Sequence, residues 1–303
     1  MTKLEYTFKN DTLFKMLFVK YPELLKRLVS ELLEIRFENI EQFEITNPEM
    51  PPEQLGDKFC RLDINMTVNG QRVNLEIQVR NEGDFPERSL FHWAREYSTA
   101  LAEGEDYSSL PRTIIISIVA FKLFKCAEFH SEYQALEVLR HTPLTDKMSL
   151  HYFELPKLPE SINTENGMEL WLALFNAGTE EELSKLEKLE ASVMKQAIRA
   201  YRSITATPEF REMERVRSKA RHDEAQALRK ARLDGAESER GQWQSVVADK
   251  DAMLADKDVL LADKDAMLAD KDVMLADKDA IIAKLRAQLD EVKKQPPYGR
   301  IVD

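Results

Sequence analysis

The stretch from Arg61 to Arg80 constrains the fold of this 303-residue chain more than any other, because two runs of alternating apolar and polar residues flank a tight turn. Such alternation predicts β-strands with one apolar face. Asn69-Gly70 predicts a type I′ turn, since both central residues of that turn need positive φ. We therefore expect a hairpin with strands at 61–68 and 73–80, and with these residues on its apolar face: Leu62, Ile64, Met66, Val68, Val73, Leu75, Ile77 and Val79.

A two-residue turn also fixes the register of the hairpin, and it places Asp63 opposite Glu76. The Cβ atoms of opposed residues are about 4.5–5.5 Å apart, and like charges at that distance destabilise a sheet. A divalent cation such as Mg²⁺, which proteins hold through one or two carboxylates, would offset the repulsion. Gln78 points to the same side and is suited to orient water or phosphate. The alternative, a polar solvent face that carries two acids by coincidence, stays open at this point.

Helical and strand patterns alternate over the first 160 residues, which predicts an α/β domain. Helices are expected at 11–35 and 86–103, and further strands at 113–121 and 147–154. Asp11 stands at an N-cap position before the first apolar helical face. Pro156 and Pro159 mark the end of this domain, and the spacing of apolar residues predicts a helical region from 161 to 240.

The charge of the chain is divided unevenly. The formal net charge of −11 splits into −12 for residues 1–194, +6 for 195–232 and −5 for 233–303. A basic helix at 208–232 is therefore a candidate for contacts with DNA phosphates. Its acidic neighbours, such as Glu212 and Glu214, favour the alternative of a solvated helix. Asp234-Gly235 predicts a break before the helix resumes.

The last part of the chain is a heptad repeat, in which Ala-Asp-Lys-Asp recurs five times from Ala248. It predicts a heptad-repeat helix over 241–294, followed by a tail at 295–303. The frame with apolar residues at both core positions contains only alanine and valine, which bury little area. The helix is therefore expected either to form a weak homo-oligomer or to stay a solitary solvated arm.

Several classes of protein are excluded by what the sequence lacks. The longest apolar run, from Ile114 to Phe121, is too short to cross a bilayer, and Met1 is followed by mixed charge without an apolar signal core. We expect a cytoplasmic protein with no membrane partner. Cys60 and Cys126 form no CxxC pair, and the histidines show no metal-ligand spacing, so zinc chemistry has no support. No GxxxxGK[ST] loop indicates an NTPase.

Several short motifs, taken in order, resemble the Rpn family of recombination-promoting nucleases, also described as PD-(D/E)XK nuclease family transposases. Asp11-Thr12-Leu13-Phe14-Lys15 is similar to the family's opening motif, Lys58 with Leu62-Asp63-Ile64 to its K-x-x-x-L-D-I, and Leu75-Glu76-Ile77-Gln78 to its I-E-x-Q. Further agreement lies at Arg88, Tyr97, 104–111 and 153–157. The resemblance covers roughly residues 8–175.

The resemblance implies a restriction-endonuclease-like mixed sheet flanked by helices in a nuclease domain at 1–160. It also implies cleavage of double-stranded DNA with Mg²⁺, in recombination or mobile-element activity. Asp63 and Glu76 would hold the metal, Gln78 would position water, and Lys58 and Asp11 are further candidate catalytic residues. The wider superfamily has lysine where this chain has Gln78, and Lys58 or Lys15 would then supply the positive charge.

Two other functions are alternatives to this one. A nuclease fold without activity would serve as a DNA-binding or protein-interaction module that oligomerises through the arm. The presence of both Asp63 and Glu76 weighs against that alternative. A purely structural helical scaffold leaves the 61–80 hairpin unexplained.

Overall fold

The computed structural model describes residues 2–47, 63–81, 83–101, 104–189 and 191–294, with side chains as far as Glu291. Within these ranges the chain is a mixed α/β structure with one six-stranded sheet and a long C-terminal helix, which confirms the predicted α/β class. The strands are β1 (Phe43–Ile45), β2 (Ile64–Val68), β3 (Gln71–Gln78), β4 (Thr113–Val119), β5 (His130–Tyr133) and β6 (Met148–Glu154). The helices are α1 (Asp11–Lys20), α2 (Pro22–Leu32), α3 (Phe85–Ser98), α4 (Gly167–Asn176), α5 (Glu180–Lys188), α6 (Ser192–Thr205) and α7 (Pro208–Lys294).

The sheet has the order β1-β2-β3-β4-β6-β5. Strands β1, β2 and β3 pair antiparallel, β3, β4 and β6 pair parallel, and β5 pairs antiparallel with β6. The parallel strands are in the middle of the sheet, where both faces are covered. Strand β4 accordingly reads as a nearly continuous aliphatic run with every residue buried.

The two faces of the sheet are covered by different helices. One face packs against α1, α2, α4 and α6 in the larger apolar core, to which Ile64, Met66, Val73 and Leu75 of the hairpin contribute. The other face packs against α3 in a smaller core. That smaller core comprises Phe85, Ile115, Val119, Leu150 and Tyr152.

The structure corrects several boundaries expected from the sequence. The N-cap of α1 is Asn10, whose side chain accepts a hydrogen bond from the amide of Leu13, and Asp11 is the first helical residue. Strand β3 ends at Gln78, and Val79 is 51% exposed and so lies outside the apolar face. Helix α3 ends at Ser98, five residues before the predicted limit. Residues 61 and 62 of the predicted first strand lie outside the described residues.

The chain consists of two compact units, Met1–Asp223 and Glu224–Asp303. In the first unit, Trp171 of α4 and Tyr201 of α6 belong to the same apolar core as the hairpin, so this core extends beyond residue 160. The proposed domain limits at 160 and 240 stay predictions.

Helix α7 runs without interruption through Asp234-Gly235, so the predicted break there is wrong. A glycine in an exposed helix costs only about 1 kcal/mol, and the nearby Leu233, Ala236 and Glu237 are strong helix formers. Every described side chain from His222 to Glu291 is exposed. No helix within the described part of the chain has both the length and the apolar character needed to cross a bilayer.

Candidate functional site

The hairpin has the turn and the register that the sequence predicted. Asn69 and Gly70 have φ values of 47° and 76°, as a type I′ turn requires. Met66 pairs with Val73 and Ile64 with Leu75. The Asn69 side chain also accepts hydrogen bonds from the amides of Glu41 and Gln42 and donates to the carbonyl of Asn39, which ties the turn to the segment before β1.

One face of the hairpin is polar over three successive rows of cross-strand neighbours. The first two rows are Thr67 with Arg72 and Asn65 with Asn74. Continuing the same register by one row past the end of β2 brings Asp63 opposite Glu76. Asp63 is half-buried and Glu76 is 5% exposed, so this pair of acids is largely withdrawn from solvent.

The Glu76 carboxylate is held from the neighbouring parallel strand. Ser117 of β4 is in register with Glu76, and its hydroxyl donates to Glu76 Oε1 over 2.8 Å. Tyr152 of β6 lies on the same face. The pKa of Tyr152 is raised, chiefly by burial. The Ser89 hydrogen bond lowers this pKa, and the negative charge of Glu76 raises it. The Tyr152 phenol therefore stays protonated near Glu76.

The backbone and side chain of Asp63 are held by three other residues. Lys15, only 2% exposed, reaches from α1 and donates to the carbonyls of Asp63, at 2.9 Å, and Asn47. The Asn47 amide donates to the same Asp63 carbonyl over 3.1 Å and accepts from the amide of Asn65 over 2.8 Å. Asn74 Nδ2 lies 3.5 Å from Asp63 Oδ2. These contacts fix Asp63, which directly precedes the first residue of β2.

Gln78 is two residues beyond Glu76 on the same side of β3. Its Nε2 donates to the carbonyl of Arg80 over 2.9 Å, so one amide hydrogen is used locally. Arg80 itself is exposed, and the guanidinium of Arg88 lies 4.8 Å from the centre of the Phe85 ring. Lys58 lies outside the described residues.

Asp11 contacts the start of the long C-terminal helix. Arg221 of α7 donates to Asp11 Oδ1 over 3.2 Å and also forms an ion pair with Glu214. In addition, Arg215 pairs with Glu212, and Arg217 is 5% exposed. These three arginines of the basic stretch therefore pair with acids or are buried, which reduces the positive charge that the stretch offers to DNA phosphates.

The acid pair fits a hard divalent cation. Mg²⁺ is commonly bound through one or two carboxylates and keeps several waters, so Asp63 and Glu76 would be sufficient protein ligands. Within the described ranges, no group of three or more His, Cys, Asp or Glu residues is placed to hold a metal ion. The buried, hydrogen-bonded setting of Glu76 is the observation that favours the acid pair over a solvent-facing strand.

The sequence identified the two acids but not the residues that orient them. Lys15 was expected to supply positive charge to a phosphate, whereas its buried ammonium group donates to the carbonyls of Asp63 and Asn47. The signal for Ser117 is visible in the sequence, because it is the one polar residue between Ile114 and Val119. Asn47 carries no comparable signal, since asparagine before a proline is common in loops. The role of Asn47 depends on a contact between segments 16 residues apart.

Comparison with known proteins gives a family match that includes the region of the acid pair. The family model described as PD-(D/E)XK nuclease family transposase matches residues 8–231, which include the whole sheet and the first turns of α7. Searches among curated proteins and solved structures gave no significant match. Membership of this family indicates a nuclease- or transposase-type function, a DNA substrate and the use of divalent metal ions. The chain therefore belongs to the PD-(D/E)XK nuclease family transposases.

Proposed function

We propose that this protein is a Mg²⁺-dependent endonuclease that hydrolyses phosphodiester bonds of double-stranded DNA and so promotes recombination or mobile-element activity. The observation that carries the proposal is the largely buried Asp63–Glu76 pair, held by Ser117 on one side and by Lys15 and Asn47 on the other. A structural role alone leaves the placement of two acids on one row unexplained, because opposed like charges destabilise a sheet.

Each candidate site residue has a separate role in the proposed reaction. Asp63 and Glu76 would hold the metal ion, which would lower the pKa of a water ligand and polarise the scissile phosphate. Gln78 uses one amide hydrogen for the Arg80 carbonyl, and its Oε1 is suited to accept a hydrogen bond from the attacking water. Lys58 is proposed to contact the phosphate, since Gln78 carries no charge.

Asp11 is assigned a different role in this proposal. Its carboxylate accepts from Arg221, so we propose that it anchors the start of α7 beside α1 rather than binding the metal. Such an anchor is consistent with a family match that extends into α7.

Cleavage of supercoiled plasmid in the presence of Mg²⁺ or EDTA tests this function. The wild-type protein should nick or linearise the plasmid only with Mg²⁺. Replacing a residue that merely orients a metal ligand already costs about 10- to 100-fold, so Asp63→Asn and Glu76→Gln, which each remove the charge of a ligand itself, should lose activity by at least about 100-fold. The matched control is Glu44→Gln, which neutralises an exposed acid in the neighbouring strand β1 and should cleave at the wild-type rate.

The result also separates the two functional classes. Mg²⁺-independent binding of DNA without any cleavage would instead support a nuclease fold that acts as an inactive DNA-binding module. Cleavage at the wild-type rate by both Asp63→Asn and Glu76→Gln would overturn the assignment of the metal ligands.

A further inference from the structure

A buried serine interrupts the most aliphatic strand of the sheet. Strand β4 reads Thr-Ile-Ile-Ile-Ser-Ile-Val, and Ser117 within it is 0% exposed. A hydroxyl buried among isoleucines is unfavourable unless it is hydrogen-bonded. Among the residues that the structure describes, its hydroxyl donates to Glu76 Oε1.

The geometry of this contact is set by the sheet rather than by flexible side chains. Glu76 and Ser117 are directly paired in the parallel ladder between β3 and β4, so both side chains leave the sheet on the same face. The 2.8 Å bond from Ser117 Oγ to Glu76 Oε1 is buried. It restricts the last torsion of the glutamate, and this fixes the direction in which both carboxylate oxygens point.

We propose that Ser117 is a positioning residue that orients the Glu76 carboxylate for binding a divalent cation. The inference rests on the proposed function, because it takes Glu76 as a metal ligand. Residues that hydrogen-bond a metal ligand commonly change metal affinity or activity by 10- to 100-fold when they are replaced. A serine that only fills space in the core would have no such effect.

Two variants with the same shape separate these roles. Ser117→Thr keeps the hydroxyl and Ser117→Val replaces it by a methyl group of similar size, so any crowding of β4 is shared by both. Binding of Mn²⁺ to the full chain without DNA is measured by calorimetry, beside the Mn²⁺ dependence of plasmid cleavage and the thermal midpoint. Ser117→Val should bind Mn²⁺ at least 10-fold more weakly than Ser117→Thr, and Ser117→Thr should remain within about 3-fold of wild type.

A second buried serine provides the matched control. Ser149 in β6 is also 0% exposed and also donates to a glutamate of a neighbouring strand, Glu132, over 2.8 Å. Ser149→Ala should therefore leave Mn²⁺ affinity unchanged, whereas Ser117→Ala should weaken it about as much as Ser117→Val.

The Mn²⁺ affinities test this inference whether or not the protein cleaves DNA. Equal Mn²⁺ affinity of Ser117→Val and Ser117→Thr would overturn it, as would a wild-type chain that binds no Mn²⁺. If the wild-type protein binds Mn²⁺ but cuts no DNA, the proposed nuclease activity fails while the difference between Ser117→Val and Ser117→Thr still tests the role of Ser117.

Discussion

At the scale of single residues, Lys15 connects the first helix to the acid pair. Its buried ammonium group donates to the carbonyls of Asp63 and Asn47, and a buried cation is tolerated only when it is well hydrogen-bonded. Lys15→Met keeps the length of the side chain but removes these donors. The free energy of unfolding should fall by roughly 2–3 kcal/mol, as for buried hydrogen bonds to charged groups.

Urea denaturation followed by circular dichroism measures this loss. Lys20→Met is the control, because Lys20 is an exposed residue in the last turn of the same helix and should change stability by less than about 0.5 kcal/mol. If the two variants are equally stable, Lys15 does not hold the end of β2.

A histidine pair at the other edge of the sheet should make the stability of the protein depend on pH. His130 Nε2 and His151 Nδ1 are 3.1 Å apart, and burial lowers the pKa of His151 to about 4, although the nearby Glu132 acts in the opposite direction. The unfolded chain binds this proton near pH 6.5 and the folded chain only near pH 4. Stability is therefore full above pH 6.5 and is lost as the pH falls towards 4, by up to about 3 kcal/mol.

Denaturation at pH 7 and pH 4.5 should show this loss in the wild type and a much smaller loss in His151→Gln. The exposed His141 provides the control, and His141→Gln should keep the wild-type pH dependence. An unchanged pH dependence in His151→Gln would mean that another group causes it. Burial also lowers the pKa of His130, so His151→Gln should keep a smaller part of the dependence of stability on pH.

At the scale of secondary-structure elements, the sequence predicted the hairpin well and the edge strands not at all. Alternation and an Asn-Gly turn are local signals, and they were sufficient for the register of β2 and β3. Strands β1 and β5 are three and four residues long, and β5 is the polar run His-Ser-Glu-Tyr. Such strands form because a neighbouring strand offers hydrogen bonds, which no local pattern shows. The contacts that orient Asp63 also join segments distant in the sequence, and no local pattern shows them.

Helix α7 passes through a glycine that the sequence marked as a break. Beyond its chain neighbours and the local backbone of the helix, no atom of the described residues lies within 4 Å of an added Cβ at Gly235, so an alanine fits there without a clash. Gly235→Ala should stabilise the helix by roughly 1 kcal/mol, because alanine has the higher helix propensity. Thermal melting of the helical circular dichroism signal should shift upwards, while an unchanged or lower midpoint would contradict a continuous helix.

The arm after residue 246 should be dispensable for folding. Its described side chains are exposed, and the sheet lies wholly upstream. A chain that ends at Val246 should remain folded and cleave plasmid, and any self-association should decrease, because the alanine and valine seam is the proposed contact between arms. Light scattering with the plasmid assay tests both points. A truncated chain that is folded but inactive would show that the arm belongs to the catalytic assembly.

At the scale of the whole molecule, DNA binding should depend on phosphate contacts rather than on base sequence. We expect phosphate contacts that depend little on sequence, since no recognised base-reading motif accompanies the nuclease-like region. Affinity should then fall steeply with salt and be similar for unrelated duplexes. Titrations of several duplexes at a series of salt concentrations measure both properties. A strong preference for one duplex with a shallow salt dependence would contradict this expectation.

The two-residue turn at Asn69-Gly70 also has a consequence for the order of folding. Closing so short a loop costs little chain entropy, whereas the parallel contact between β3 and β4 must first close the much longer segment from Gln78 to Thr113. Asp63 and Glu76 should therefore meet before the Ser117 hydroxyl can donate its hydrogen bond to the glutamate. Their repulsion then acts on the folding barrier, and divalent cations present during refolding should accelerate the wild-type chain more than Asp63→Asn.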